Sequence, residues 1–181
     1  MNIMLSLSAQ WLPQSVRKRQ LRKLLRLTAE AFGAAAPTLQ GLSFDDSLKT
    51  FASFTRDQAE KALHSEQDLD SVTARLYHGA YQLGAQYRGW FRVRSLGDVL
   101  SAARVLYSLC KIDFRGTKDG QVTIARCFFS EYYSGAVCRV ISSLDAGLLA
   151  GLSGGRQLTF RQRITEGADA CTGLLSVGGP P

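Results

Sequence analysis

Apolar residues recur every three to four positions through the first 110 residues of this chain, which is the spacing of helices with one buried face. After Pro13, the segment 14–32 places apolar side chains on one half of a helical wheel and basic side chains on the other. Similar spacing predicts three further helices over residues 44–64, 68–87 and 95–110, although Thr55 could also begin a new helix after a kink. Ser95 is a suitable cap for the last of them.

From Lys111 onwards the period changes to alternation. Ile112 and Phe114 alternate with polar residues, and the turn sequence GTKDG leads into a second alternating run that ends at Cys127. This pattern predicts a β-hairpin. A helix over 134–152 follows, then a strand marked by Leu158, Phe160 and Ile164, a turn at EGAD, and a partner strand over 171–177.

The order of elements predicts an α+β fold. We expect N-terminal helices followed by a ββαββ unit, which forms an antiparallel sheet of about four strands with helices packed on it. Residues 1–36 are interpreted as a basic amphipathic N-terminal helix. Residues 37–181 are interpreted as a single domain, with a helical layer over 37–110 and a sheet-containing unit over 111–177.

The positive charge of the chain is concentrated in its first predicted helix. The formal net charge is +7, and six of the 22 basic residues lie in the segment 16–26, which contains no acid. The rest of the chain is nearly neutral, so we expect no nucleic-acid partner. The basic residues could dock the protein on an anionic membrane or an acidic protein, through Arg17, Lys18, Arg19, Arg22, Lys23 and Arg26. The alternative is an ordinary core-facing helix with a solvated basic side.

Composition and cysteine usage suggest a cytoplasmic protein, peripheral at the membrane if the first helix docks there. At 45% hydrophobic and 20% charged residues the chain is typical of globular proteins. No apolar run reaches the roughly 18 residues that span a bilayer. The opening MNIMLSLSAQWLP lacks the charged start and longer apolar stretch of a secretory signal. Four irregularly spaced Cys residues then favour reduced thiols over a disulfide framework.

The helix predicted over 134–152 carries the best candidate site. Cys138 lies near its N-terminus, where the helix dipole favours a thiolate, and Ser142 and Asp145 lie along the same face. A carboxylate in the apolar stretch LDAGLLAGL is costly to bury unless it meets a donor, a metal or a ligand. We therefore expect a pocket that joins these three residues to Cys127 and Cys171. The alternative is that the two thiols are core residues and that Asp145 is exposed.

Two further kinds of site are weaker candidates. Cys127, Cys138 and Cys171 could bind zinc, although no CxxC or HxxxH spacing supports a metal site. His78 lies beside two tyrosines in RLYHGAYQLG and is a candidate ligand contact, or else a helix histidine without a role in binding. Tyr133, just before the helix, is also a candidate ligand contact.

The segment from Ala125 to Leu175 resembles the family named for L-2-amino-thiazoline-4-carboxylic acid hydrolase. More distantly it resembles the four-vinyl reductase ligand-binding domains. The likeness is carried by ARCFF at 125–129, by the helix from Ser134, and by TEGADACTGLL at 165–175. It implies that Cys127 and Cys171 occupy the recurrent Cys positions of these families. It also implies a small-molecule pocket between the sheet and the helical layer.

Two main functions follow as expectations. The first is binding of a small organic ligand without catalysis, which is favoured because the chain shows no convincing acid/base pair and no His-activated nucleophile. The alternative is hydrolysis of a C–N bond in a small heterocyclic substrate, with Asp145 or Glu166 as the base and Cys138 as the nucleophile. A docked accessory subunit, held through the basic helix, is a second alternative.

Overall fold

A computed structural model describes residues 13–65 and 69–177. The helices are α1 (Gln14–Phe32), α2 (Phe44–His64), α3 (Leu69–Trp90), α4 (Leu96–Leu109), α5 (Gly135–Ile141) and α6 (Ser143–Ser153). The strands are β1 (Ile112–Gly116), β2 (Gln121–Cys127), β3 (Gln157–Gln162) and β4 (Cys171–Ser176). Short 3-10 helices cover Phe128–Glu131 and Ile164–Glu166.

Local sequence accounts for the ends of the long helices. The Ser43 hydroxyl accepts a hydrogen bond from the Asp46 amide at the start of α2, and Ser95 forms a capping box with Asp98 at the start of α4. Gly33 ends α1 in a left-handed conformation with φ of 65°. Helix α2 is continuous through Thr55, whose hydroxyl donates to the Phe51 carbonyl, so a second helix does not begin there.

The four strands form one antiparallel sheet in the order β1-β2-β4-β3. Each hairpin supplies one edge strand and one central strand, and β2 pairs with β4 across the middle. The helices pack on this sheet, with Phe114, Val122 and Leu175 buried beneath α4 and α6. The predicted α+β fold, with N-terminal helices and a ββαββ unit, is confirmed.

Two elements differ from the sequence-based expectation. The predicted helix 134–152 is divided at Ser142, whose hydroxyl donates to the Arg139 carbonyl and whose backbone leaves the regular helical conformation. The third strand ends at Gln162, because its register with β4 shifts between Phe160 and Gln162. Ile164 therefore begins a 3-10 turn and does not extend the strand.

Helices α3 and α6 meet backbone to backbone through glycines. A Cβ atom placed on Gly147 would lie 2.1 Å from the Tyr77 carbonyl oxygen, and one on Gly151 would lie 2.1 Å from the Tyr81 carbonyl oxygen. On α3, a Cβ on Gly84 would lie 2.3 Å from the Leu148 carbonyl oxygen. Only residues without a side chain allow this approach, so the glycines set how closely α6 packs on α3.

Among the described residues, one helical stretch, Gly135–Ser153, has the length and the apolar composition of a membrane-spanning helix. Slightly more than half of it, 56%, is buried inside the protein. The core helix of a globular domain passes the same test, and the packing of α6 between α3 and the sheet accounts for its apolar composition.

Helix α1 packs on the rest of the helical layer through its apolar face. Leu21 and Leu25 are 3% exposed and belong to the same core cluster as residues of α2, α3 and α5. This face is therefore covered by protein. Residues 1–12, on which the expectation of no secretory signal rests, lie outside the described residues.

Candidate functional site

A cavity of about 150 Å³ lies between the helices and the sheet. Each helix and each strand of the described chain contributes at least one residue to its wall. Most of that wall is apolar and includes Leu24, Phe51, Leu106, Ile124, Phe129 and Leu148. A dry apolar cavity of about this volume is large enough to hold a benzene-sized molecule.

Asp145 is the acidic residue in the wall of this cavity. It lies in the first turn of α6, and its Oδ1 atom accepts a hydrogen bond of 2.8 Å from the Tyr107 hydroxyl on α4. Burial raises the pKa of Asp145 from 3.8 to about 6, whereas the Tyr107 hydrogen bond and the positive charge of Arg163 oppose this rise. The carboxyl group can therefore exchange a proton close to neutral pH.

Arg163 brings a positive charge to the same wall. It follows β3, and its guanidinium lies over the Phe160 ring at 4.4 Å from the centroid. Its Nη1 atom donates to the Cys138 sulfur at 3.8 Å, and its Nε atom lies 3.8 Å from a carboxylate oxygen of Glu166. Both contacts are long, so the guanidinium retains hydrogen-bonding capacity toward the cavity.

The four thiols of the chain all line the cavity, and three of them are held in the protonated form. Burial raises the pKa of Cys110 and of Cys127 to about 12, and it also raises the pKa of Cys171. The Cys171 sulfur accepts a hydrogen bond of 3.3 Å from the Ile164 amide. A protonated thiol is a poor nucleophile and a poor metal ligand.

Two buried polar atoms of the described residues have no hydrogen-bond partner in the protein. They are Arg17 Nε on α1 and Thr165 Oγ1 in the turn after β3, and both residues line the cavity. The neighbouring polar groups are paired within the fold: Tyr87 donates to Gln20, Tyr133 bonds with Thr55, and Ser142 donates to the Arg139 carbonyl. Buried polar atoms without a partner are rare, because each costs about 1–3 kcal/mol.

Six of the sequence-predicted site residues lie in the cavity wall: Cys127, Tyr133, Cys138, Ser142, Asp145 and Cys171. Two others do not. Glu166 forms a surface ion pair of 2.8 Å with Arg139, and the exposed His78 bonds with Gln82 on the outside of α3. Neither is brought into contact with the other candidate residues.

The three candidate zinc ligands share the cavity wall without forming a metal site. Over residues 13–65 and 69–177, no group of three or more His, Cys, Asp or Glu side chains is arranged to hold a metal ion.

The sequence did not identify several polar residues that line the cavity together with Asp145. Tyr107, Arg163 and Thr165 belong to no motif in the sequence, and Arg17 was predicted only as a docking residue. Arg163 follows the end of β3 at Gln162, which comes directly after the register shift between Phe160 and Gln162. These residues become recognisable only once the elements are packed together.

No protein-family model matches this chain, and a search of curated proteins found no match either. The function proposed below therefore rests on the residues of the cavity.

Proposed function

We propose that this protein binds a small, largely apolar organic molecule in the cavity between the helices and the sheet and does not transform it. The observation that carries the proposal is the pair of buried, unpartnered polar atoms, Arg17 Nε and Thr165 Oγ1, in an otherwise apolar wall. Ligand pockets combine these features: an apolar body and a few polar groups that fix orientation.

The polar groups of the cavity indicate what the ligand carries. Thr165 can donate or accept, Arg163 and Arg17 donate, and Asp145 has a second oxygen beyond the one that Tyr107 occupies. The ligand that matches them has a body of about one ring and a polar group with both acceptor and donor atoms. A monocyclic aromatic or heterocyclic acid or amide meets this description.

An open depression at the surface offers a route to the cavity. It is lined by Lys111, Arg126 and other polar residues, and it shares Ile112, Cys127 and Ile164 with the cavity wall. Rearrangement of these shared side chains would connect the cavity to solvent. Its charged residues are Lys111, Arg126, Asp113, Glu131 and Asp169, so the depression carries no excess of positive charge.

The state of Cys110, Cys127 and Cys171 argues against nucleophilic catalysis by these three thiols. A nucleophilic cysteine needs a depressed pKa, whereas burial raises the pKa of three of the thiols in this wall. Neither histidine of the chain lines the cavity to act as a partner base.

Hydrolysis of a C–N bond is the second candidate, and one observation favours it. Asp145 has a pKa of about 6, so at neutral pH it is ionised and could take a proton from an attacking water. The resemblance to the L-2-amino-thiazoline-4-carboxylic acid hydrolase family suggests the same chemistry. Incubation with that thiazoline acid, followed by mass spectrometry, separates turnover from binding.

Filling the cavity should abolish binding. Leu106 of α4 lines the cavity, so Leu106→Trp should remove the space for a one-ring molecule. We expect benzoate and benzamide to raise the melting temperature of the wild-type protein and to leave that of Leu106→Trp unchanged. Mass spectrometry of the purified native protein should find a retained small molecule in the wild type and none in the variant.

The matched control for this experiment lies on the same helix. Leu96 is half-buried in α4 but does not line the cavity, so Leu96→Trp should retain binding. Loss of binding in both variants would show that α4 packing, and not the cavity, is responsible. Binding that survives in Leu106→Trp would contradict the proposal.

Replacing Thr165 by valine should have opposite effects on stability and on binding. The substitution keeps the shape of the side chain and removes a buried hydroxyl that has no partner in the protein. The free energy of unfolding without ligand should therefore rise by about 1 kcal/mol, which is a few degrees in melting temperature. Affinity for the probe acids and amides should fall, because the ligand loses its partner. Thr159→Val, on the exposed side of β3, is the control and should change neither quantity.

A further inference from the structure

The exposed side of α1 carries basic residues that the fold does not use. Arg19, Arg22 and Arg26 are exposed. Two of their neighbours are engaged within the protein: the Arg17 guanidinium lies over Phe44, and Lys18 Nζ donates to the Leu42 carbonyl at 2.7 Å. Fewer basic residues of α1 are therefore available to a partner than the sequence indicated.

An exposed tryptophan lies beside this basic side. The Trp90 ring, at the end of α3, is 66% exposed, and the Lys23 ammonium of α1 lies 5.2 Å from its centroid. The chain that follows alternates inside and outside: Phe91 and Val93 pack inward, while Arg92 and Arg94 are exposed. We call the exposed residues Arg19, Arg22, Arg26, Trp90, Arg92 and Arg94, together with the half-buried Lys23, the α1–Trp90 surface.

The charges of this surface are not neutralised by the protein. Within the described chain, none of its basic side chains takes part in an ion pair, although five pairs form elsewhere. The one acid in α1 is Glu30, near its C-terminal end. Asp98, the nearest acid to Arg94 in sequence, is occupied by the capping box of α4.

We propose that the α1–Trp90 surface docks the protein on an anionic phospholipid bilayer. Basic residues are attracted to the headgroups of anionic lipids, and an indole ring partitions into the interfacial region of a bilayer. The apolar face of α1 is already covered by the core, so docking is peripheral and leaves the fold intact. Single-stranded nucleic acid would instead need several aromatic rings along a groove, whereas this surface has one. The proposal does not depend on the cavity or its ligand.

Co-sedimentation of the full chain with vesicles tests the proposal. We expect binding to phosphatidylserine-containing vesicles at low salt, and little binding to phosphatidylcholine vesicles or at high salt. Each basic residue near the surface contributes about fivefold in partitioning. Changing Arg19, Arg22 and Arg26 together to Gln should therefore weaken binding by about a hundredfold.

A control variant carries the same loss of charge on another surface. Lys118, Arg126 and Arg161 are exposed residues of the sheet-containing unit, and their replacement by Gln should leave vesicle binding close to the wild type. Equal weakening by the two triple variants would overturn the proposal, because net charge alone would then explain the binding. So would binding to heparin or an acidic protein without binding to the vesicles.

The fluorescence of Trp90 provides a second readout. In a Trp11→Phe background Trp90 is the remaining tryptophan, since the chain has two. Its emission should shift to the blue on addition of phosphatidylserine vesicles, as the ring leaves water for the interface. Unchanged emission in a sample that co-sediments would contradict the assignment of Trp90 to the contact.

Discussion

Replacing Gly151 by alanine should lower the free energy of unfolding by about 3 kcal/mol, at the upper end of the usual cost of overpacking. The new Cβ would lie 2.1 Å from the Tyr81 carbonyl oxygen and 2.8 Å from the Ala85 amide nitrogen, both backbone atoms of α3. Backbone atoms cannot rotate away as a side chain can, so the two helices must separate. Urea denaturation followed by circular dichroism measures the loss. Gly147→Ala should behave alike, because its Cβ would meet the Tyr77 carbonyl oxygen.

Gly89 provides the matched control on α3. A Cβ atom there meets nothing within 4 Å, and alanine favours helix over glycine. Gly89→Ala should therefore leave the stability unchanged or raise it by about 0.5 kcal/mol. If Gly151→Ala were as stable as Gly89→Ala, this result would contradict the close approach of α3 and α6. The cavity would also lose its described shape, since Leu144, Asp145 and Leu148 of α6 line it.

Replacing Asp145 by asparagine should stabilise the protein at about pH 8 by about 2 kcal/mol and remove part of its pH dependence. Burial raises the pKa of Asp145 from 3.8 to about 6, so the folded protein binds this proton more tightly than the unfolded chain. Ionisation above pH 6 therefore costs stability, up to about 3 kcal/mol for a shift of this size. As the pH falls through 6 toward 4, this cost is relieved. An amide has no such ionisation, and its oxygen can still accept from Tyr107.

Melting temperatures of wild type and Asp145→Asn between about pH 4 and pH 8 measure the effect. The difference between the two proteins should be largest at the alkaline end and should shrink to about 0.5 kcal/mol near pH 4, because it vanishes only below 3.8, where the carboxyl is protonated in the unfolded chain as well. Asp119→Asn is the control of opposite sign, because its hydrogen bond from Thr117 lowers the pKa of Asp119. That variant should lose stability at neutral pH, and the loss should shrink in acid. A constant difference between wild type and Asp145→Asn at every pH would contradict the buried position of Asp145.

The cavity links these two predictions to ligand binding. Ionisation of the buried Asp145 costs stability in the protein without ligand. A ligand that donates a hydrogen bond to the carboxylate, or that carries a positive charge, would offset this cost. Ligands with a donor should therefore bind more tightly above pH 6 than below it, and ligands with an acceptor in contact with Asp145 should show the reverse. This distinction depends on the same carboxyl that defines the proposed site.

The periodicity of apolar residues was sufficient to predict where most elements lie. Helices α1 and α2 have the bounds that the spacing indicated, and the hairpins follow the alternation that begins at Ile112. Local chemistry decides these features: Ser95 caps α4 and Gly33 ends α1 because the required hydrogen bonds and backbone angles involve neighbouring residues. The break at Ser142 and the early end of β3 were not predicted. The end of β3 coincides with the register shift against β4, which the residues of β3 alone do not specify.

The sequence by itself determined the α+β class, the order of elements, and the presence of an acid and several thiols near one helix. Only the tertiary structure decided which of those residues share a cavity. Tyr107 and Asp145 are separated by 38 residues, and Arg17 lies still further along the chain from Thr165, yet all four line one wall. The tertiary packing also covered the apolar side of α1 and left its outer basic residues free. The spacing of apolar residues along a chain indicates which face of an element is buried. The packing of the whole core determines which other element contacts that face.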